Sequence, residues 1–156
     1  MLTAFRVVLL VSAASSVAVE NCSAEKRKES ELSGQVRAAV KKGVEYLKQA
    51  QRDGNWEEQG KPLSEVREGG VTSLALLALL DSGVRPDEAV IKKGLDYLRK
   101  IDSESTYVVA LQIEVLSRAK SDFDHKPLLQ KNADWLLKCA RRDGKRVLGW
   151  GYTARP

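Results

Sequence analysis

The sequence predicts an all-α fold made of helical hairpins, in which two kinds of helix alternate. The first observation is an internal repeat, because Val40–Leu47 aligns without gaps with Ile91–Leu98 and, more weakly, with Leu129–Leu136. The second is that two further segments, Val71–Leu76 and Val108–Ile113, resemble each other and lie between those copies. The chain therefore runs A-B-A-B-A, and such a repeat decides the architecture ahead of any single element.

The A segments are amphipathic. The first one places apolar residues at steps of three or four along the chain: Val36, Val40, Val44 and Leu47. Charged residues lie between them, and the second copy repeats the stripe. This spacing predicts helices with one solvent-exposed face, near residues 35–52, 87–101 and 127–141.

Boundary signals agree with these A helices. Ser33 is a candidate N-cap, and Asp53-Gly54 is a helix stop. Pro86 and Pro127 suit the first turn of the second and third helices, where a missing N–H costs nothing.

The B segments are apolar on all sides. Leu74–Leu80 contains only Leu and Ala, and Ser82-Gly83 follows as a stop signal. A helix of this kind is expected to be buried all round. Val108-Val109 would also suit a strand, but the alignment favours helix. We predict B helices near 71–81 and 106–118, arranged with the A helices in two layers, as in an α-solenoid or an α/α barrel.

The first 32 residues differ from the rest. Residues 1–18 combine Arg6, the apolar run Val7–Val11 and the small-x-small pattern Ser16-Val17-Ala18, as in a cleaved signal peptide. An uncleaved anchor is the alternative, although the run is short for a membrane span. Residues 19–32 are polar and predict a flexible linker before a domain at 33–156. The expected location is secreted or periplasmic, with no permanent transmembrane helix after cleavage.

Composition excludes several classes of protein. The chain has 156 residues, a formal charge of +5 and two cysteines, Cys22 and Cys139, so it is not a disulfide-stapled mini-protein and has no CxxC zinc pair. The densest basic run, Lys26-Arg27-Lys28, lies among glutamates. We therefore expect no nucleic-acid partner, since such binders gather positive charge on one face.

A motif follows the first A segment. Gln51, Gly54 and Trp56 form a Q-x-x-G-x-W string, which resembles the QW motif of squalene and oxidosqualene cyclases. A degraded copy, Arg141–Gly144, ends the third A segment, and Gly149–Tyr152 follows it. Over residues 34–152 the chain is similar to the prenyltransferase/squalene-oxidase (squalene cyclase-like) repeat family. In that family the motif residues are structural.

The resemblance implies an α/α toroid, with outer and inner helices around an apolar cavity. The chain supplies about two and a half of the hairpins, so we expect an incomplete toroid and a fragment of a longer protein. Its implied cavity-lining residues lie on the B helices and on the segment after the third A helix: Thr72, Tyr107, Gln112, Trp150 and Tyr152.

The sequence offers no catalytic centre, and catalytic residues stay unknown. The cyclases use an acid motif such as D-x-D-D, and the nearest string here, Asp122-Phe123-Asp124-His125, reads as a turn and helix start. His125 is expected at the surface. Cys139 lacks the Asp-x-Cys context of the zinc-binding prenyltransferases, and the thioester string Cys-Gly-Glu-Gln is absent. We predict no metal and no cofactor.

The sequence leaves two candidate functions for the protein. The first is an exported, non-catalytic binding or scaffold toroid that presents its apolar cavity to an apolar or isoprenoid ligand, or a surface to a protein partner. The alternative is a terpene cyclase or prenyltransferase-type enzyme whose catalytic residues lie in a missing C-terminal part.

Overall fold

The repeated segments form the helices. The computed structural model describes residues 31–57, 68–119 and 124–153. The A segments form α1 (residues 31–50), α3 (Ala89–Leu98) and α5 (Lys126–Cys139), and the B segments form α2 (Gly70–Asp81) and α4 (Thr106–Arg118). The predicted bounds agree to within about four residues, the usual scatter of helix ends. The segment 108–115 is helical, which confirms the reading taken from the alignment.

Not every predicted boundary signal acts as expected. Ser33 lies inside α1, where its hydroxyl accepts a hydrogen bond from Arg37 Nη2 at 3.1 Å, so it is not the N-cap. Glu31 and Leu32 are helical as well, whereas the predicted signal peptide and the remainder of the linker fall outside the described ranges. Pro86 lies in a turn before α3, but Pro127 does occupy the first turn of α5.

A β-hairpin corrects the prediction of a purely helical chain. Strand β1 (Ala140–Asp143) follows α5 directly and pairs antiparallel with β2 (Arg146–Trp150). Gly144, at φ 56°, starts the two-residue turn between them. The sequence predicted only a degraded motif copy at Arg141–Gly144, but a two-residue loop that begins with glycine is also a hairpin signal.

The packed part of the protein is organised around the B helices. The chain divides into two compact units at Lys42/Gly43, and the packing described from here on belongs to the unit that begins at Gly43. Helix α2 packs against α3 and α4, and α4 packs against α5. The core consists of aliphatic side chains from α2, α3 and α4 that are almost fully buried: Leu76, Leu79, Ile91, Leu95, Leu98 and Val115.

Burial follows the predicted contrast only in part. Helices α2 and α4 are far more buried than α1 and α5. Among the described residues of α1 and α5, only Asn132 is buried. Helix α3 is nearly as buried as α4, because α2 covers one side and Lys48 and Gln51 reach it from another. The expectation that α2 is buried all round is wrong, since Leu74 and Ala78 are exposed.

Candidate functional site

The Q-x-x-G-x-W residues tie the end of α1 to the neighbouring helix. The Trp56 indole donates its Nε1–H to the Leu47 carbonyl at 2.8 Å, so the ring folds back onto α1. The Gln51 amide donates to the Val90 carbonyl of α3 at 2.9 Å. At the end of α1 itself, Arg52 donates to the Gln49 carbonyl at 2.7 Å. The motif therefore joins the end of α1 to α3.

Gly54 completes this junction by allowing the chain after α1 to approach the main chain of α3 closely. Its φ is 84°, and a Cβ built on it would lie 2.8 Å from the Lys93 carbonyl oxygen. Only glycine takes this backbone conformation without strain and leaves room for the neighbouring main chain.

Trp150 repeats the contact that Trp56 makes. Its Nε1–H donates to the Leu136 carbonyl at 2.8 Å, and Leu136 holds the same position in the third A segment as Leu47 does in the first. The hairpin is inserted between α5 and this tryptophan, which is why the degraded motif does not align by simple spacing. Trp150, predicted to line a cavity, is thus engaged at the end of α5 and remains 49% exposed.

Thr72 is buried at the start of α2. Its hydroxyl accepts a hydrogen bond from the Trp56 amide at 3.2 Å and donates to Glu57 Oε1 at 2.8 Å. The same Glu57 oxygen accepts the Thr72 amide at 3.1 Å, so a carboxylate caps the positive end of the helix. Glu57 was missed from the sequence, because it caps a helix that begins 13 residues further along the chain.

Gln112 is also buried and faces α5. The Asn132 amide donates to its Oε1 at 3.2 Å, and its own amide donates to the Ile101 carbonyl at 3.4 Å. Thr72 and Gln112 therefore hold elements together and are closed to a ligand.

Tyr107 and Tyr152 are brought together at an open surface. The Thr106 amide donates to the Tyr152 carbonyl at 3.1 Å, which places the segment after β2 beside the first turn of α4. Both tyrosine side chains are exposed, at 53% and 88%. Of the five predicted cavity residues, these two are exposed and lie on adjoining stretches of backbone.

Further apolar residues extend that surface. Helices α2 and α4 leave open one stripe each, which together we call the inner face: Val71, Leu74, Ala78, Tyr107 and Ala110. Beyond these residues, Asp81 on α2 and Arg118 on α4 form an ion pair, so the two stripes point to the same side. Glu114, which follows Ala110 on the exposed stripe of α4, also pairs with Arg118. The inner face is thus apolar over its five named residues and is bounded by charges at one end.

A polar cleft of about 360 Å³ lies at the Q-x-x-G-x-W junction, beside α3. Its walls are formed by residues of both charges and one tyrosine: Gln51, Asp53, Gly54, Lys93, Asp96, Tyr97 and Lys100. The Tyr97 hydroxyl donates to Glu68 Oε1 at 3.1 Å. Burial, and then this carboxylate, raise the pKa of Tyr97, so its hydroxyl stays protonated and is a poor acid.

The Asp124-His125 string has a structural role. Asp124 Oδ1 accepts the Lys126 amide at 3.0 Å, as predicted for a helix start, while Asp122 lies beyond the described ranges. His125 is buried, not on the surface as we had expected, and its carbonyl accepts the Leu129 amide. Desolvation, with the nearby Arg99 guanidinium, lowers the pKa of His125.

The described ranges contain no group of three or more His, Cys, Asp or Glu side chains that could hold a metal ion. Cys139 is a half-buried free thiol at the end of α5. In the same ranges, no helix combines the length and the apolar character that crossing a bilayer requires.

Comparison of the chain with protein-family models, with curated proteins and with solved structures gave no match.

Proposed function

We propose that this protein is an exported, non-catalytic binding or scaffold protein that holds an apolar or isoprenoid ligand, or an apolar surface of a protein partner, on its inner face. The observation that carries the proposal is the exposure of Val71, Leu74 and Tyr107 on helices that otherwise form the core. Soluble proteins usually cover such neighbouring apolar groups unless they bind something.

The same proposal places the chain in the prenyltransferase/squalene cyclase-like repeat class, as part of an α/α toroid. Its support is the alternation of amphipathic and apolar helices together with the paired tryptophan contacts at Leu47 and Leu136. In a toroid, the inner helices would turn their open stripes toward a central cavity.

The chemistry of the inner face favours an apolar ligand over a polar one. Leu74 and Ala78 offer aliphatic contact, and Tyr107 adds a ring that can pack on a hydrocarbon chain while its hydroxyl reaches water. The charged pair Asp81–Arg118 lies at one end, where a ligand hydroxyl or headgroup could be bound.

Titration calorimetry with farnesol tests this proposal on the full chain. We expect the wild-type protein to bind, and Leu74→Lys to raise the Kd at least about tenfold, because a charge would replace buried contact area. Leu137→Lys is the matched control, since Leu137 on α5 is similarly exposed but lies away from the inner face. Absence of binding by the wild-type protein, or equal loss in both variants, would refute a ligand site on α2 and α4.

A further inference from the structure

The end of α5 and the hairpin that follows it carry a concentration of positive charge. Five basic residues lie at the end of α5 and along β1 and β2, all exposed: Lys138, Arg141, Arg142, Lys145 and Arg146. Asp143 is the one acidic residue among them. None of the five forms an ion pair with a described residue. By contrast Lys48, Arg118 and Lys131, on the helices, all contact carboxylates.

Apolar side chains accompany these cations. Leu137, Val147 and Leu148 are exposed, Leu148 to 61%. Arg142 lies directly opposite Val147 in the ladder, so a basic and an aliphatic side chain leave the same face of the hairpin. Leu148 is the additional residue where the register shifts between Arg141 and Arg142. The hairpin and the end of α5 therefore expose basic and aliphatic side chains together.

The base of the hairpin is anchored while its tip projects. The strands pair with each other and make only sparse contacts with the helices. At the base, Trp150 binds the Leu136 carbonyl and Tyr152 binds the Thr106 amide. At the tip, Gly144 allows a tight turn. The basic and aliphatic groups are thus displayed on an ordered support.

We propose that the β1–β2 hairpin docks on an anionic lipid bilayer surface. Arginine and lysine at the surface attract acidic headgroups, and aliphatic side chains enter the boundary between headgroups and acyl chains. A nucleic-acid duplex would satisfy the cations, but its backbone offers nothing apolar for Leu137, Val147 and Leu148. This site is separate from the inner face and does not depend on the proposed function.

Co-sedimentation of the full chain with phospholipid vesicles tests the proposal. Phosphatidylcholine vesicles containing about a third phosphatidylserine should retain the protein, and added salt should release it. Each basic residue at such a surface contributes about fivefold to partitioning, so Arg142→Glu with Arg146→Glu should lower retention about twentyfold or more. Leu148→Asn should lower it severalfold.

Matched variants control for charge, for exposure and for folding. Lys92→Glu with Lys100→Glu makes the same charge change at exposed residues of the α3 region, and Leu32→Asn changes a leucine of equal exposure, 62%. All variants keep residues 1–30, so the N-terminal apolar run contributes equally. Thermal melts followed by circular dichroism verify folding.

Three outcomes would overturn the proposal. The first is unchanged retention of the hairpin variants, and the second is an equal loss in the control variants. The third is retention of a labelled DNA duplex without retention of vesicles, which would identify the cations as a nucleic-acid surface.

Discussion

Trp56 shows how one residue can hold a helical repeat together. Replacing it with Ala removes a half-buried ring and the hydrogen bond to Leu47, so we expect the free energy of unfolding to fall by about 2–3 kcal/mol, below the range for fully buried tryptophans. Trp56→Phe keeps most of the apolar area and loses only the hydrogen bond, at about 1 kcal/mol. Urea unfolding measures both. Equal stability of Trp56→Ala and the wild-type protein would contradict a structural role.

His125 carries a second prediction at this scale. Because it is buried and hydrogen-bonded with the Ala119 backbone, His125→Ala should lower the free energy of unfolding by about 1–3 kcal/mol. The surface position expected from the sequence would have made this change neutral. Urea midpoints of the variant and of Lys126→Ala, its exposed neighbour, give the comparison.

The same histidine predicts a pH dependence. Its folded-state pKa lies below the ordinary value of 6.5, so the unfolded chain binds the proton more readily. The stabilisation is complete above about pH 6.5 and is lost as the pH falls from there toward the folded-state pKa. Urea midpoints measured between about pH 7 and pH 5.5 should fall in the wild-type protein and fall less in His125→Gln. A wild-type midpoint that rises on acidification would contradict the argument. The charge of Asp124 raises this pKa, and so opposes the shift, but does not reverse it.

At the scale of elements, substitution of the repeated glycines distinguishes the effect of helix propensity on stability from the effect of packing. Gly43 and Gly94 hold the same position in the first two A segments. A Cβ on Gly94 would lie 2.7 Å from Leu76 Cδ2, whereas one on Gly43 would meet no atom within 4 Å. Gly43→Ala should therefore stabilise the protein by up to about 1 kcal/mol through helix propensity. Gly94→Ala should destabilise it by about 1–3 kcal/mol through overpacking. Thermal melts compare them, and a gain in both variants would mean that α2 and α3 are not tightly packed there.

At the scale of the whole molecule, the open inner face predicts self-association. Neighbouring exposed apolar groups favour contact between copies when no ligand covers them. We expect sedimentation velocity to show a weight-average mass that rises with protein concentration, and Leu74→Lys to reduce this rise. Leu32→Lys, a change at a still more exposed leucine, should leave it unaltered. A monomer at every concentration would show that the inner face does not drive self-association in water.

The sequence by itself determined which segments are helical and that they come in two kinds. Both facts are local: the three- to four-residue spacing of apolar residues and the alignment of the copies hold whatever the helices pack against. The positions of Gln51, Gly54 and Trp56 at a helix end were readable for the same reason, as was the helix start at Pro127.

Only the tertiary structure decided which sides of those helices are covered. Leu74 and Leu76 are the same residue type two positions apart, yet one is exposed and the other buried. Likewise, the hydrogen-bond partners of Gln51, Glu57 and His125 come from other segments of the chain, and the local sequence does not identify them. The hairpin depends on a two-residue turn that begins at Gly144 and on the pairing of β1 with β2, neither of which the degraded motif copy indicated. Burial depends on contacts between residues distant in the chain, and strand pairing depends on a partner segment, so the local pattern of each segment left both open.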